Sequence, residues 1–275
     1  MTRRLPLGPA LAEAVGFLPR AWLGAWGSLL LLALAIAGLG QAHQAHASAA
    51  LWIAVSGLAV VLAGLAAEGA LYRIGVSRTF AEARKRGLGF AGLQLRAAEL
   101  RIVAAAGLIT GFLAVVALGL GVLILFVASL ARVDLLSLGA AGSVERAWAS
   151  RDTPTLVVIA CVLGSVAILI QIAARTALYR AATVGRNRIV SLDALALSEG
   201  NLAVLIAGLV ISFAPTFALL WMTPSILPLA GGSMLALHRI YSGFLALVQV
   251  PISIGFLSSA YKRLEYGAAG SPGGG

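Results

Sequence analysis

Polar side chains inside apolar runs carry the most chemical promise in this sequence, because hydrocarbon makes an uncompensated polar group costly. Glu68 stands four residues before Tyr72, and Arg175 stands four residues before Tyr179. Gln171 lies one turn deeper than Arg175 on the same helical face, and Gln249 precedes Pro251 in the last apolar run. A carboxylate and a guanidinium one turn inside the same boundary can neutralise each other. Glu68 and Arg175 are therefore expected to face the bundle interior and to meet. With Pro215 and Pro251 kinking their helices, Glu68, Gln171, Arg175 and Gln249 form a candidate polar site for a solute or lipid headgroup. The competing reading is snorkelling charges and packing kinks.

Other constellations are poor. His43 and His46 are spaced to share a helix face, and His238 is distant in sequence; a metal site needs further ligands, for which Glu145 and Asp152 are the only nearby candidates. Solvated loop histidines are the better reading. Cys161, the single cysteine, sits in an apolar run and reads as inert packing. The chain has no P-loop, GxSxG, HExxH or CxxC pattern. No catalytic residue, metal ligand or cofactor is assigned.

The elements that must position these groups are transmembrane helices. Of the 275 residues, 60% are hydrophobic and 11% charged, against about 25% charged in a soluble domain. Six apolar runs, 21–40, 49–71, 102–131, 155–178, 202–222 and 240–260, each reach the length of a span. Helices are expected, since lipid offers no partners to open backbone and the runs lack a two-residue alternation. Gly107 and Gly111 in the third run form a GxxxG pair that another helix could approach closely. The first run is longer than the roughly 7–15 residues of a signal-peptide core, so it reads as a retained span.

The net charge of +10 reads as topology rather than nucleic-acid binding. The stretches up to Arg20, 73–101, 175–188 and Lys262–Arg263 hold 16 of the 20 basic residues; the alternate connections hold only Arg132, Arg146, Arg151 and Arg239. Basic flanks stay cytoplasmic, which places both termini inside and requires an even number of spans. Two lysines, Lys85 and Lys262, against 18 arginines, with abundant Ala, Leu and Gly, point to a GC-rich bacterial genome and so to a bacterial inner membrane. The expected partner is the bilayer, with anionic lipid at the cytoplasmic face; no nucleic acid is expected, and a protein partner or homo-oligomer is left open.

An internal repeat is also legible. Ala70-Leu71-Tyr72-Arg73 recurs as Ala177-Leu178-Tyr179-Arg180, and Ala260-Tyr261-Lys262 is a looser third copy, each ending an even-numbered span. Tyr72, Arg73, Tyr179, Arg180, Tyr261 and Lys262 are thus expected as repeat anchors. Segments with helical apolar spacing precede the odd-numbered spans: Leu7, Leu11, Val15 and Leu18; then Phe90, Leu93, Ala97 and Leu100; then Ile189, Leu192 and Ala196. The expected fold is an all-α membrane protein whose six helices form three hairpins, each preceded by a short interfacial amphipathic helix. It makes one transmembrane domain over residues 1–266, with units near 5–73, 88–180 and 189–263 and a flexible tail at 267–275.

The start, LAEAVGFLPRAWLGAWGSLLLL, leads from an amphipathic segment through a basic-aromatic stretch into a span. That start and the hairpin plan resemble bacterial integral membrane families related to the membrane domain of glycerophosphodiester phosphodiesterases. The soluble catalytic domain of those enzymes is absent from this sequence, so the resemblance implies a membrane module and no catalytic residues. The expected function is a non-enzymatic module that handles or senses a lipid or small solute, or supports a partner. The alternatives are a small-solute transporter or channel, then a lipid-processing enzyme.

Overall fold

The computed structural model describes residues 4–44, 50–94, 97–134, 152–190, 192–229 and 233–267, with Glu145, Trp148, Ala149 and Gly231 singly. His46 and the tail beyond Gly267 lie outside the described residues.

Six helices are long and apolar enough to cross a membrane: Leu18–Gln41, Ala50–Val76, Glu99–Ala131, Thr153–Arg186, Leu202–Trp221 and Met234–Tyr266. The described residues hold helices and turns and no strand. Each span coincides with one of the six apolar runs, and most extend past it at the basic end. The chain is a multi-pass α-helical membrane protein.

The chain enters through helix α1 (Leu7–Gly16) and turns at Phe17 into α2 (Leu18–Gln44). The return span, α3 (Ala50–Val76), packs along α2. The two are antiparallel: Arg20 reaches the carbonyls of Ser77 and Arg78, and a Cβ on Gly24 would meet Ile74. Thr79 caps the short α4 (Phe80–Lys85). The third span is α5 (Ala97–Ala131), and the fourth is α6 (Thr153–Thr176) continued by α7 (Tyr179–Arg186). The short α8 (Asp193–Leu197) leads to the fifth span.

Prolines divide the last two spans. The fifth is α9 (Leu202–Ser212) and then α10 (Ala214–Trp221), with Pro215 in the first turn after the break. After α11 (Thr223–Leu229), the sixth runs through α12 (Met234–Phe244), a π-helical turn at Leu245–Gln249 and α13 (Val250–Tyr266). Pro251 has no N–H, so the Leu247 carbonyl lacks the donor an α-helix would supply. The Trp22 indole of α2 donates to that carbonyl at 2.7 Å. A single residue thus ties the first span to the interruption in the sixth.

The interior is concentrated at the basic end. In α3 the buried residues begin at Ala63 and run to Val76, and α13 buries ten of its residues. Tyr72, Ile74, Leu178, Val190, Leu205, Phe256 and Tyr261 are among the largest fully buried side chains. Small residues allow this closeness: a Cβ on Gly185 would strike the Tyr261 ring, and one on Gly208 the Phe256 ring. At the other end large apolar side chains such as Leu51, Trp52, Leu118, Phe126 and Trp221 are exposed, as a hydrocarbon solvent permits. Gly107 and Gly111 face open space, so no helix among the described residues packs on that pair.

Of the three amphipathic segments, the first forms α1, which lies against α13. The second differs from expectation. Phe90–Gly92 is a 3-10 turn in which Ala91 (φ 54°) and Gly92 (φ 76°) leave the right-handed region, while Ala97 and Leu100 already belong to the third span. This turn presses into α2 at Ala25, whose φ of −129° kinks that helix; a Cβ on Gly92 would meet the Ala25 backbone. The third segment is reduced to α8.

Candidate functional site

The charged groups gather where the core is densest. Arg73 follows from the helical continuation of α3 beyond its apolar run, and Glu99 from the first turn of α5. Gly69 makes room between them, since a Cβ there would collide with the Glu99 carboxylate. Arg73 Nη1 donates to Glu99 Oε1 at 2.5 Å, with both side chains almost fully buried at 1% and 3% exposure. Arg73 Nε donates to the Arg86 carbonyl at 3.0 Å. The third nitrogen, Arg73 Nη2, is buried with no hydrogen-bond partner. A buried donor left unsatisfied costs about 1–3 kcal/mol, and more when charged, so this nitrogen marks a place that calls for an acceptor.

Arg73 lines a cleft of about 300 Å³ with Lys85, Arg86, Arg101, Thr183, Val184 and Asn187. It lies where α3, α4, α5 and α7 converge. The walls are fixed by internal bonds. Arg86 donates to Glu82 Oε1 at 3.0 Å from Nη2 and to the Gly185 carbonyl at 3.2 Å from Nη1. Arg101 Nη1 donates to the Asn187 carbonyl at 2.8 Å, and Asn187 holds a left-handed φ of 52° that ends α7. The Thr183 hydroxyl is already engaged, accepting from Val190 N and donating to Val190 O. Four cations line the cleft, and two carboxylates, Glu99 and Glu82, pair with them. Among the described residues the cleft therefore keeps a surplus of two positive charges.

Glu82, outside the spans, holds its carboxyl below the usual carboxylate range. The main cause is the Arg78 backbone N–H donated to it at 2.8 Å, with the Arg86 guanidinium beside it. Burial opposes the shift.

The expected intramembrane residues separate. Glu68 pairs with Arg180, not with Arg175. The helix breaks at Ala177–Leu178 and restarts as α7, which swings Arg180 onto α3 and leaves Arg175 exposed. Gln171 is exposed as well. Gln249 is buried and spent on structure: its Nε2 donates to the Ser212 carbonyl at 3.1 Å and to Ser253 Oγ at 2.8 Å, while its Oε1 accepts from Thr216. It splices the two proline-broken spans rather than lining an opening.

The repeat anchors also turn inward. Tyr72, Tyr179 and Tyr261 are buried among helices, Arg73 is the largest fully buried side chain, and Arg180 stacks over Tyr179. Lys262 stands about 4.0 Å from Glu13 of α1, whose carboxylate also receives Arg263. These residues join the basic ends of the spans to one another.

Sequence reasoning missed Glu99, Lys85, Arg86 and Arg101. Their signal was present: an acidic residue opening the third apolar run, and a glycine four residues before Arg73. The basic residues of 73–101 set orientation and also line the cleft, and their number alone does not separate the two roles.

A second hollow is apolar. It runs between α2 and α3, measures about 440 Å³ and is lined by Leu31, Ala35, Ala59, Leu62, Ala63 and Ala66, with Leu93 and Gln94 at one end. Gln94 Oε1 accepts from Gly89 N at 2.9 Å, and its buried Nε2 has no partner.

Fold and site together define a multi-pass helical membrane protein with a basic, tightly packed end. No family model matches the chain, and no curated protein or solved structure matches it either.

Proposed function

We propose that this chain is a non-enzymatic module of a bacterial inner membrane that handles or senses a lipid or small solute at its cytoplasmic face. The observation that carries the reading is the basic cleft, with its surplus charge and its unsatisfied buried guanidinium nitrogen. Orientation follows from the distribution of basic residues, which puts this end and both termini in the cytoplasm. Anionic lipid of that leaflet is then the first partner the cleft meets. Three related hairpins, marked by Tyr72, Tyr179 and Tyr261, are the plan from which we derive the architecture. The resemblance to the membrane domain of glycerophosphodiester phosphodiesterases supports a module of this kind.

The test has two parts. Reporter fusions after residues 45, 90, 145, 190, 230 and 270 should read outside, inside, outside, inside, outside, inside. Purified protein should retain specific lipid or bind a small solute, and proteoliposomes should show no saturable solute flux above empty vesicles. Saturable flux would move the assignment to a transporter, and an external C-terminus would overturn the orientation.

A further inference from the structure

We propose that the cleft between α3, α4, α5 and α7 is a binding site for a phosphate group, carried by a lipid headgroup or by a free phosphorylated solute. The inference rests on the reading that this end of the module engages lipid or solute, and it names the chemical group and the residues that hold it.

Three features select phosphate. The donors come from different sides: Arg73 from α3, Lys85 from the end of α4, Arg101 from the first turns of α5. A planar carboxylate is served by one guanidinium fork, whereas the tetrahedral oxygens of a phosphate can accept from several directions at once. The charge also fits. The surplus of two positive charges matches a phosphate monoester, which carries roughly −1.5 to −2 at pH 7, and exceeds the single charge of a phosphodiester headgroup. Lastly, the deepest donor is unused. Arg73 is held by Glu99 and by the Arg86 carbonyl, and its Nη2 is buried and unbonded beside the cleft. Lys85 is exposed and makes no ion pair among the described residues, which leaves its ammonium available.

The walls are preorganised for this. Arg101 is fixed by Asn187, and Arg86 by Glu82 and Gly185, so little side-chain order is lost on binding. The volume of about 300 Å³ is at the small end for ligand sites. It suits a phosphate with a short polar substituent and leaves acyl chains outside.

The experiment uses the full chain in detergent and in nanodiscs. Probes are inorganic phosphate, glycerol phosphate, and nanodiscs of phosphatidylglycerol against phosphatidylcholine. The variant is Lys85→Gln/Arg101→Gln, with Arg84→Gln/Arg188→Gln as a control that removes the same charge from exposed positions of the same end. We expect the cleft variant to lose at least tenfold in affinity and the control to lose less than threefold. Arg73→Lys, which keeps the charge and removes Nη2, should also weaken binding, provided its unfolding midpoint matches wild type. Saturable binding of the soluble phosphates identifies a solute site; binding only in phosphatidylglycerol nanodiscs identifies a headgroup site. Equal losses in the cleft variant and the control would overturn the phosphate site while leaving lipid handling intact. Binding to none of the probes overturns the phosphate site too, and lipid handling falls with it only if no lipid is retained on purification.

Discussion

The buried Arg73–Glu99 pair gives the sharpest test of how this bundle is held together. Replacing Glu99 with Gln preserves size and leaves the guanidinium facing a neutral amide. Removing one partner of a buried pair costs about 3–5 kcal/mol, because the remaining charge stays desolvated. That is a large part of the roughly 5–15 kcal/mol that separates folded from unfolded domains. Arg73→Met keeps most of the apolar stem, yet takes the guanidinium from the buried Glu99 carboxylate and releases the Arg86 carbonyl, which adds about 1 kcal/mol. In Arg73→Met/Glu99→Gln no charge is stranded, so the double variant should be more stable than the sum of the singles implies, by about 2–3 kcal/mol. The assay is denaturant unfolding in detergent micelles, followed by tryptophan fluorescence. The reasoning fails if Glu99→Gln lies within about 0.5 kcal/mol of wild type, or if the single effects add.

Glu68→Gln and Arg180→Gln should show a smaller coupling of about 1 kcal/mol, since their side chains are 24% and 34% exposed, and Arg175→Gln should leave Glu68 unaffected in the same cycle. Gly208→Ala and Gly185→Ala should each cost about 1–3 kcal/mol by overpacking against Phe256 and Tyr261, whereas Gly107→Ala and Gly111→Ala should be near neutral in a thermal melt of the monomer. Because the Glu82 carboxyl titrates lower when folded, its contribution is complete above its unfolded value near 4.5 and is lost as pH falls through the folded value. Amide exchange over Phe80–Lys85 should accelerate in that acid range, and Glu82→Gln should remove the pH dependence. Trp22→Phe should destabilise by about 1 kcal/mol, and by less in a Pro251→Ala background, where the Leu247 carbonyl regains a backbone donor.

The spans were legible because a bilayer asks one question of a segment, whether about 20 consecutive residues are apolar. Each of the six runs answers it, and none needs a tertiary partner to do so. The ends of the spans were not legible in the same way. Beyond Leu71 the α3 helix continues through Tyr72, Arg73 and Ile74 as a buried element, and no pattern of hydrophobicity distinguishes a buried arginine from one at the headgroups. The error with Arg175 has the same origin. Counting by fours from Tyr179 assumes an unbroken helix, but the turn at Ala177–Leu178 shifts the phase and brings Arg180 to Glu68. Gln249 stands out in the sequence as a polar residue in an apolar run. Its partners, Ser212, Thr216 and Ser253, could not be foreseen, because they depend on which proline-broken helices meet. The loop 86–94 is the clearest failure of periodicity. Phe90, Leu93, Ala97 and Leu100 are spaced as a helix face, yet two left-handed residues divide them.

These differences share a physical cause, and it bears on function. In hydrocarbon the six helices gain little from apolar contact with one another, since lipid is as good a solvent for leucine as another helix. The halves away from the basic end are accordingly exposed along much of their surface. Where the helices emerge toward water the hydrophobic effect returns, and there α1, α7 and α13 close around Tyr72, Phe256 and Tyr261. That closure also takes Arg73, Glu99 and Glu68 out of bulk solvent, which forces them to find partners in the chain. Glu99 with Arg73 and Glu68 with Arg180 succeed. Arg73 Nη2 does not, although Gly69 leaves room for Arg73 and Glu99 to meet beside it. A bundle that tightens at one end, and leaves a buried nitrogen of a cleft-lining arginine without a partner there, is arranged so that an anion entering from that side could complete the structure. Binding should therefore stabilise: saturating phosphate probe at about 100 times its dissociation constant should raise the unfolding free energy by about 2.7 kcal/mol in wild type. The same probe concentration should stabilise Lys85→Gln/Arg101→Gln by no more than about 1.4 kcal/mol, the value for a site weakened tenfold, a difference readable by the denaturation assay above. Equal stabilisation of both proteins would place the anion elsewhere and return Arg73 to a purely structural role.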